Sequence, residues 1–289
     1  MNLHVVGIRY WNDQKGEDAT LRLVDDGLAA CREVDGDASY TEAVFPEERR
    51  TDDRVTNLGI LGGAIADAVA EGATAGKRVV IVGSNCTTLP GILGGLQDAY
   101  GPTHKMGLVW FDAHGDFNTP RTTLSGMLGG MPVAVSAGLC FPHWREASHL
   151  AAPLPTDRIV MVDVRNLDAA EEQLIRATDV TIAAPAPGFP GEDLQQAIDA
   201  LAEKCDILYL HIDADILDGR YVPNHRTIEP NGPSMEQVQA AIDTVMNTGK
   251  VGVFAVVSIW TDGAGGVTAV ESGTQLVRAG VEAWARQTA

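Results

Sequence analysis

Short β-branched and apolar runs alternate with longer segments of helical periodicity along the chain, and this alternation limits the fold more than any other feature. LHVVGIRY, RVVIVGSN, MGLVWFDA, RIVMVDVR, DVTIAAP, ILYLHIDAD and VGVFAVVSIW read as strands, most of them apolar on both faces. Between them, NLGILGGAIADAVAEGA, AEEQLIRA, GEDLQQAIDALAEK and SMEQVQAAIDTVMNT space their apolar residues as amphipathic helices do. Such alternation predicts a three-layer α/β/α fold with a mainly parallel sheet. No long linker, repeat or low-complexity block divides the sequence, so residues 1–289 read as a single domain.

A chain of 289 residues buries a substantial core. Its formal net charge of -18 argues against nucleic acid or an anionic membrane as partner, because both would repel it. No apolar run reaches the roughly 18 residues that span a bilayer. The N-terminal MNLHVVGIRYWNDQKGED has no basic segment followed by an apolar stretch and a cleavage site. The four cysteines, Cys31, Cys86, Cys140 and Cys205, show no disulfide-framework spacing. A cytoplasmic location is the expectation from these features.

In open α/β sheets, ligands bind beyond the C-terminal strand ends. Ser84-Asn85-Cys86 follows VVIVG, Asp112-x-His114-x-Asp116 follows GLVWF, Arg165 and Asp168 follow IVMVDV, and Asp213-x-Asp215 follows LYLHI. Four strand ends thus offer polar groups to one rim. If the strand ends stay extended, alternate residues share a face, so Asp112, His114 and Asp116 converge, as do Asp213 and Asp215. Carboxylates crowded together repel unless cations neutralise them, and a mixed oxygen and imidazole set suits a divalent metal such as Mn²⁺. The alternative is a set of solvated strand ends. The glycine run GILGGL, Gly91 to Leu96, lacks the G-x-G-x-x-G spacing of a dinucleotide loop.

The run DAHGDFNTPRTTLSGMLGGMP, taken with HIDADILD, resembles the arginase/agmatinase (ureohydrolase) family in order and spacing from about Val79 to beyond Asp218. The resemblance implies a two-manganese site that activates a bridging hydroxide. It implies one metal held by Cys86, Asp112, Asp116 and Asp213, and a second by His114, Asp112, Asp213 and Asp215. It further implies that Asn118 and Ser125 take a substrate carboxylate, that Asp168 takes an α-amino group, and that the chain forms a homo-oligomer, trimer or hexamer.

Three positions depart from the family pattern. Arginases carry a Gly-Gly-Asp-His turn where this chain reads Gly83-Ser84-Asn85-Cys86. A thiolate is softer than imidazole and shifts preference toward Zn²⁺ or Fe²⁺; the other reading is a protonated cysteine beside a single metal. The hydroxyarginine amidinohydrolases of cycloserine biosynthesis resemble this chain in having cysteine at that turn. Gly129 stands where arginases place a proton-shuttling histidine. His225, in YVPNHRTIEP, is a candidate replacement or else a solvent-exposed loop residue. Ser258 aligns with the glutamate that holds the guanidinium, and no acid follows before Asp262.

These features together point to a metal-dependent hydrolase of a linear C–N bond in a small molecule, with Asp116 and Asp215 supporting the chemistry. A less basic group than a guanidinium fits the loss of the glutamate, and an N-hydroxyguanidino amino acid is the first expectation. A neutral amide or ureide is the second. A non-catalytic ureohydrolase-like subunit is the reading from another class, although a scaffold has no need for five clustered ligands.

Overall fold

A computed structural model describes residues 1–16 and 22–288. The strands are β1 (Leu3–Ile8), β2 (Tyr10–Trp11), β3 (Gln14–Lys15), β4 (Ser39–Glu42), β5 (Arg78–Gly83), β6 (Met106–Phe111), β7 (Ile159–Val162), β8 (Thr181–Ala183), β9 (Ile207–Asp213) and β10 (Val251–Val257). The helices are α1 (Leu23–Val34), α2 (Arg54–Thr74), α3 (Leu89–Tyr100), α4 (Pro132–Ser136), α5 (Pro142–Ala147), α6 (Ala169–Arg176), α7 (Leu194–Lys204), α8 (Met235–Met246) and α9 (Gly266–Thr288). Eight strands form one sheet in the order β4-β1-β5-β10-β9-β6-β7-β8, and each neighbouring pair is parallel. β2 and β3 form a separate antiparallel hairpin.

Period-two alternation divides the strands between two cores. Leu208, Leu210 and Ile212 of β9 pack with α1, α7, α8 and α9, whereas Tyr209 packs on the opposite face with α2 and α3. This is the expected three-layer arrangement. Helix starts follow local chemistry: Asp53 accepts from Thr56 N before α2, and Asp193 accepts from Gln196 N before α7.

The glycine run Gly91–Leu96 lies inside α3. A Cβ on Gly91 would come within 2.5 Å of Gly62 O on α2, and one on Gly94 within 1.9 Å of Ser148 O. These glycines permit close backbone packing and serve no phosphate loop. Among the described residues, no helix is long and apolar enough to cross a membrane.

β5 and β6 are consecutive in sequence, yet β10 and β9 lie between them. Their connections therefore leave a crevice above the strand ends, the usual ligand position in such sheets.

Candidate metal centre

The crevice is a cavity of about 440 Å³ that receives residues following β5, β10, β9, β6 and β7. Asp112 and Asp213 stand at its floor, Asp112 directly after β6 and Asp213 as the last residue of β9. The segments beyond them do not stay extended, contrary to the simplest reading of the two motifs. Asp116 adopts a left-handed φ of 45°, and His114 N donates to Asp112 Oδ1 at 2.7 Å. The second motif enters a 3₁₀ turn over Ala214–Ile216, with Asp215 N donating to Asp213 Oδ1 at 2.9 Å. Tight backbone-to-carboxylate turns, and not strand alternation, gather the side chains.

His114 Nδ1 lies 3.0 Å from Asp215 Oδ2 and 3.3 Å from Asp112 Oδ1. Asp213 Oδ2 accepts from Ser258 Oγ at 2.5 Å and from the Cys86 thiol at 3.0 Å. His225, which the sequence left between the site and solvent, is buried. Its Nε2 stands 3.6 Å from Asp213 Oδ1 and has no hydrogen-bond partner among the described residues. Three groups each place one ligand atom per residue within 4.8 Å of the others: Asp112, His114 and Asp215; Asp213, Asp215 and His225; and Cys86, Asp112 and His211.

The electrostatics test whether cations suit this arrangement. Asp112, Asp116, Asp213 and Asp215 are each no more than 7% exposed. Burial, and then the neighbouring Asp215 and Asp213, push Asp112 well above the usual carboxylate range. Burial does the same to Asp116, and burial followed by Asp215 pushes Asp213 up to about 6. Burial also opposes ionisation of Asp215, but hydrogen bonding and charge from His114 outweigh it and hold this carboxyl down. The Cys86 thiol is raised by burial and by Asp213 and Asp116. Protons alone can relieve such crowding only by neutralising the cluster. Divalent cations relieve it with the acids ionised, and the unpartnered His225 Nε2 adds a free donor. The donors fit that role.

Glu229 was not legible as a site residue. Its Oε1 lies 3.1 Å from His114 Nε2 and accepts from Asn166 Nδ2 at 2.9 Å. Arg165, expected at the rim, instead donates to the carbonyls of Asp215, Ile216 and Pro230 and pairs with Asp163. It braces the Asp215 turn and the loop after it. Glu171 accepts from Phe117 N at 2.8 Å and ties the Asp112–Asp116 loop to α6. Neither Glu229 nor Glu171 carried a motif. His211 did carry a signal, as a polar residue on the inward face of an apolar strand.

Asn118, Ser125 and Asp168 all border the cavity. Asn118 Nδ2 donates to Asp168 Oδ2 at 3.2 Å, whereas Ser125 is exposed at the mouth. Trp260 packs against Trp11 at 4.2 Å and edge-on to His225 at 4.5 Å, making an aromatic wall. Asp262 is exposed and does not line the cavity. At Gly129 a Cβ would meet nothing closer than Met127 at 3.8 Å.

The chain is similar in sequence and in fold to known proteins. The chain is 28% identical over 199 residues to an arginase of Bacillus caldovelox, covering 66% of this chain and 65% of that protein. It is 31% identical over 195 residues to the N(omega)-hydroxy-L-arginine amidinohydrolase of Streptomyces lavendulae, covering 66% and 64%. The matched segments thus span just under two thirds of these relatives' lengths. Among solved structures, a Bacillus subtilis arginase superposes with a TM-score of 0.79 at 19% identity, over 97% of this chain and 98% of that one. A Bacillus subtilis formimidoylglutamase superposes with a TM-score of 0.73 at 14% identity, over 98% and 87%. The Arginase family model matches residues 9–270, and the chain belongs to the arginase family.

Proposed function

We propose that this protein is a metal-dependent hydrolase that cleaves a linear C–N bond at an amidine-type carbon, with an N-hydroxyguanidino amino acid as its best-fitting substrate. The observation that carries the reading is the buried set of Cys86, Asp112, Asp213 and Asp215, joined by the half-buried His114, at the floor of the cavity, with Ser258 beside it where the family pattern has glutamate. Two divalent ions bound by this set and Asp116 would supply a water-derived nucleophile at neutral pH and polarise the carbon under attack. Manganese is the first choice, and Cys86 favours zinc or ferrous iron as alternatives.

The chain's own residues then divide the work. Asn118 and Ser125 offer neutral hydrogen bonds to a substrate carboxylate, and Asp168 offers charge to an α-amino group. Asp215 keeps His114 oriented, and Asp116 and His225 are the groups placed to hold or move a proton beside the cluster. The Ser258 hydroxyl is committed to Asp213, so the end of β10 presents no free carboxylate to a guanidinium. The Arg226 guanidinium lies 5.7 and 5.5 Å from the Trp11 and Trp260 ring centroids at the same cavity and adds positive charge there. Both features disfavour a cationic substrate group.

The test is product release from Nω-hydroxy-L-arginine by the purified chain supplied with Mn²⁺, Zn²⁺ or Fe²⁺. Metal-dependent turnover is the expected result. Absence of turnover of hydroxyguanidino, guanidino, ureido and amide amino acids with all three metals would reject the hydrolase reading.

A further inference from the structure

On β9, Tyr209, His211 and Asp213 occupy alternate positions and therefore share one face. The first two are wholly buried. The Tyr209 hydroxyl meets one hydrogen-bond partner among the described residues, His211 Nδ1 at 2.7 Å. The other ring nitrogen, His211 Nε2, lies 3.4 Å from Cys86 Sγ. His211 is opposite Trp110 across the β6–β9 pairing, and the two rings stack at 3.9 Å with 6° between their planes. The imidazole is fixed in tilt by the indole and in rotation by two polar contacts.

Counting donors decides which nitrogen carries the proton. If Nδ1 held it, the ring would donate to Tyr209, and the buried Tyr209 O–H would have no acceptor. A buried O–H left without an acceptor loses its water partner and gains nothing in return. If Nε2 holds it, each proton finds a partner: Tyr209 O–H to Nδ1, Nε2–H to Cys86 sulfur, and Cys86 S–H to Asp213 Oδ2 at 3.0 Å. We infer that Tyr209 and His211 form a buried relay that fixes an N–H donor on the Cys86 sulfur and so positions it as a ligand at the floor of the cavity.

This relay has a chemical consequence. The thiol proton must leave when sulfur becomes a ligand, but the N–H···S bond need not move. It favours the thiolate through a charge-assisted contact and withdraws electron density from it. His211 acts through Cys86 and is a positioning residue.

The proton can be located without turnover. Long-range ¹H–¹⁵N spectra of the full chain, labelled in histidine, distinguish the two tautomers; the His211 signal is the one lost in His211→Gln. The expected result is a proton on Nε2 and a bare Nδ1 in both the metal-free and the Zn²⁺-loaded protein. A proton on Nδ1 in the metal-free chain overturns the relay. Loss of the Nε2 proton on adding Zn²⁺ also overturns it, because the ring would then itself be a ligand.

Co²⁺ provides a second readout in the sulfur-to-cobalt absorption band. Removing the N–H donor makes the sulfur more electron-rich, so the band should move to longer wavelength in His211→Phe. It should return toward the wild-type position in His211→Gln, whose amide can still donate. A band unmoved in His211→Phe, or absent from the wild type, rejects the assignment. Should His211→Phe fail to fold, the wild-type tautomer still decides.

Discussion

Glu229 Oε1 lies 3.1 Å from His114 Nε2, on the ring edge opposite the one that faces Asp215 and Asp112. The carboxylate therefore fixes which nitrogen of His114 is offered to the cluster. Ligand histidines held in this way lose about 10–100-fold in metal affinity when the outer partner is removed. Glu229→Gln should weaken metal binding by that order while leaving the metal-free melting temperature within a few degrees of wild type. Metal titration by calorimetry checks this. Unchanged affinity would mean that His114 needs no such support.

The reach of sequence reading in this protein follows from where each residue stands in the chain. Asp112, His114, Asp116, Asp213 and Asp215 are dense polar motifs that interrupt apolar strands, so both their type and their strand-end position are visible. Glu229 is 115 positions from His114 in sequence, and a lone acid before proline has no pattern to distinguish it. The bend that brings Asp116 inward depends on a left-handed residue that is not glycine, and composition gives no notice of that. The glycines of α3 show the opposite case: glycine is a poor helix residue, yet here the close approach of α2 demands it. Trp260 is buried and also forms part of the cavity wall.

Removing metal should lower stability, and Asp213 should be essential to that effect. Its carboxylate accepts from Ser258, Cys86 and the Asp215 backbone and lies at the centre of the acidic set. Metal at about 100 times its dissociation constant adds roughly 2.7 kcal/mol, a rise of roughly 4–5 °C in a chain of this length. Chelator should abolish the rise in wild type. Asp213→Ala should show neither the rise nor any turnover. Thermal melts with and without chelator test the first point, and metal analysis with assays tests the second. A variant with full metal occupancy and wild-type activity would remove Asp213 from the centre.

Gly129 borders the cavity with free space where a side chain would begin. Its φ is not left-handed, so a histidine is not excluded by the backbone. General acids contribute about 10²–10⁴-fold when they reach the leaving group. Gly129→His should therefore raise kcat by at least about tenfold on substrates with poor leaving groups, and less on a hydroxyguanidine. Comparing kcat for both substrate types in wild type and variant provides the test. Equal effects on both would place the new side chain away from the leaving group.

Substrate charge is the sharpest consequence of Ser258. Arginine carries a guanidinium with a pKa above about 12 and remains a cation in any pocket it enters. The position that would pair with it holds a buried hydroxyl turned to Asp213, and Asp262 is exposed outside the cavity. Arg226 over Trp11 and Trp260 adds repulsion at the same wall. An N-hydroxyguanidine is much less basic and a ureide is neutral, so both reduce the cost of burying an unpaired charge. The hydroxyguanidine is favoured twice only if its leaving group needs less protonation, which the Gly129→His comparison separates. L-arginine and agmatine should therefore have kcat/KM at least tenfold below the best less basic analogue under identical metal conditions. Arg226→Gln should narrow that gap by raising the arginine value. Steady-state rates for arginine, its N-hydroxy form and its ureido analogue decide the matter, and arginine turned over best by the wild type would refute the charge argument.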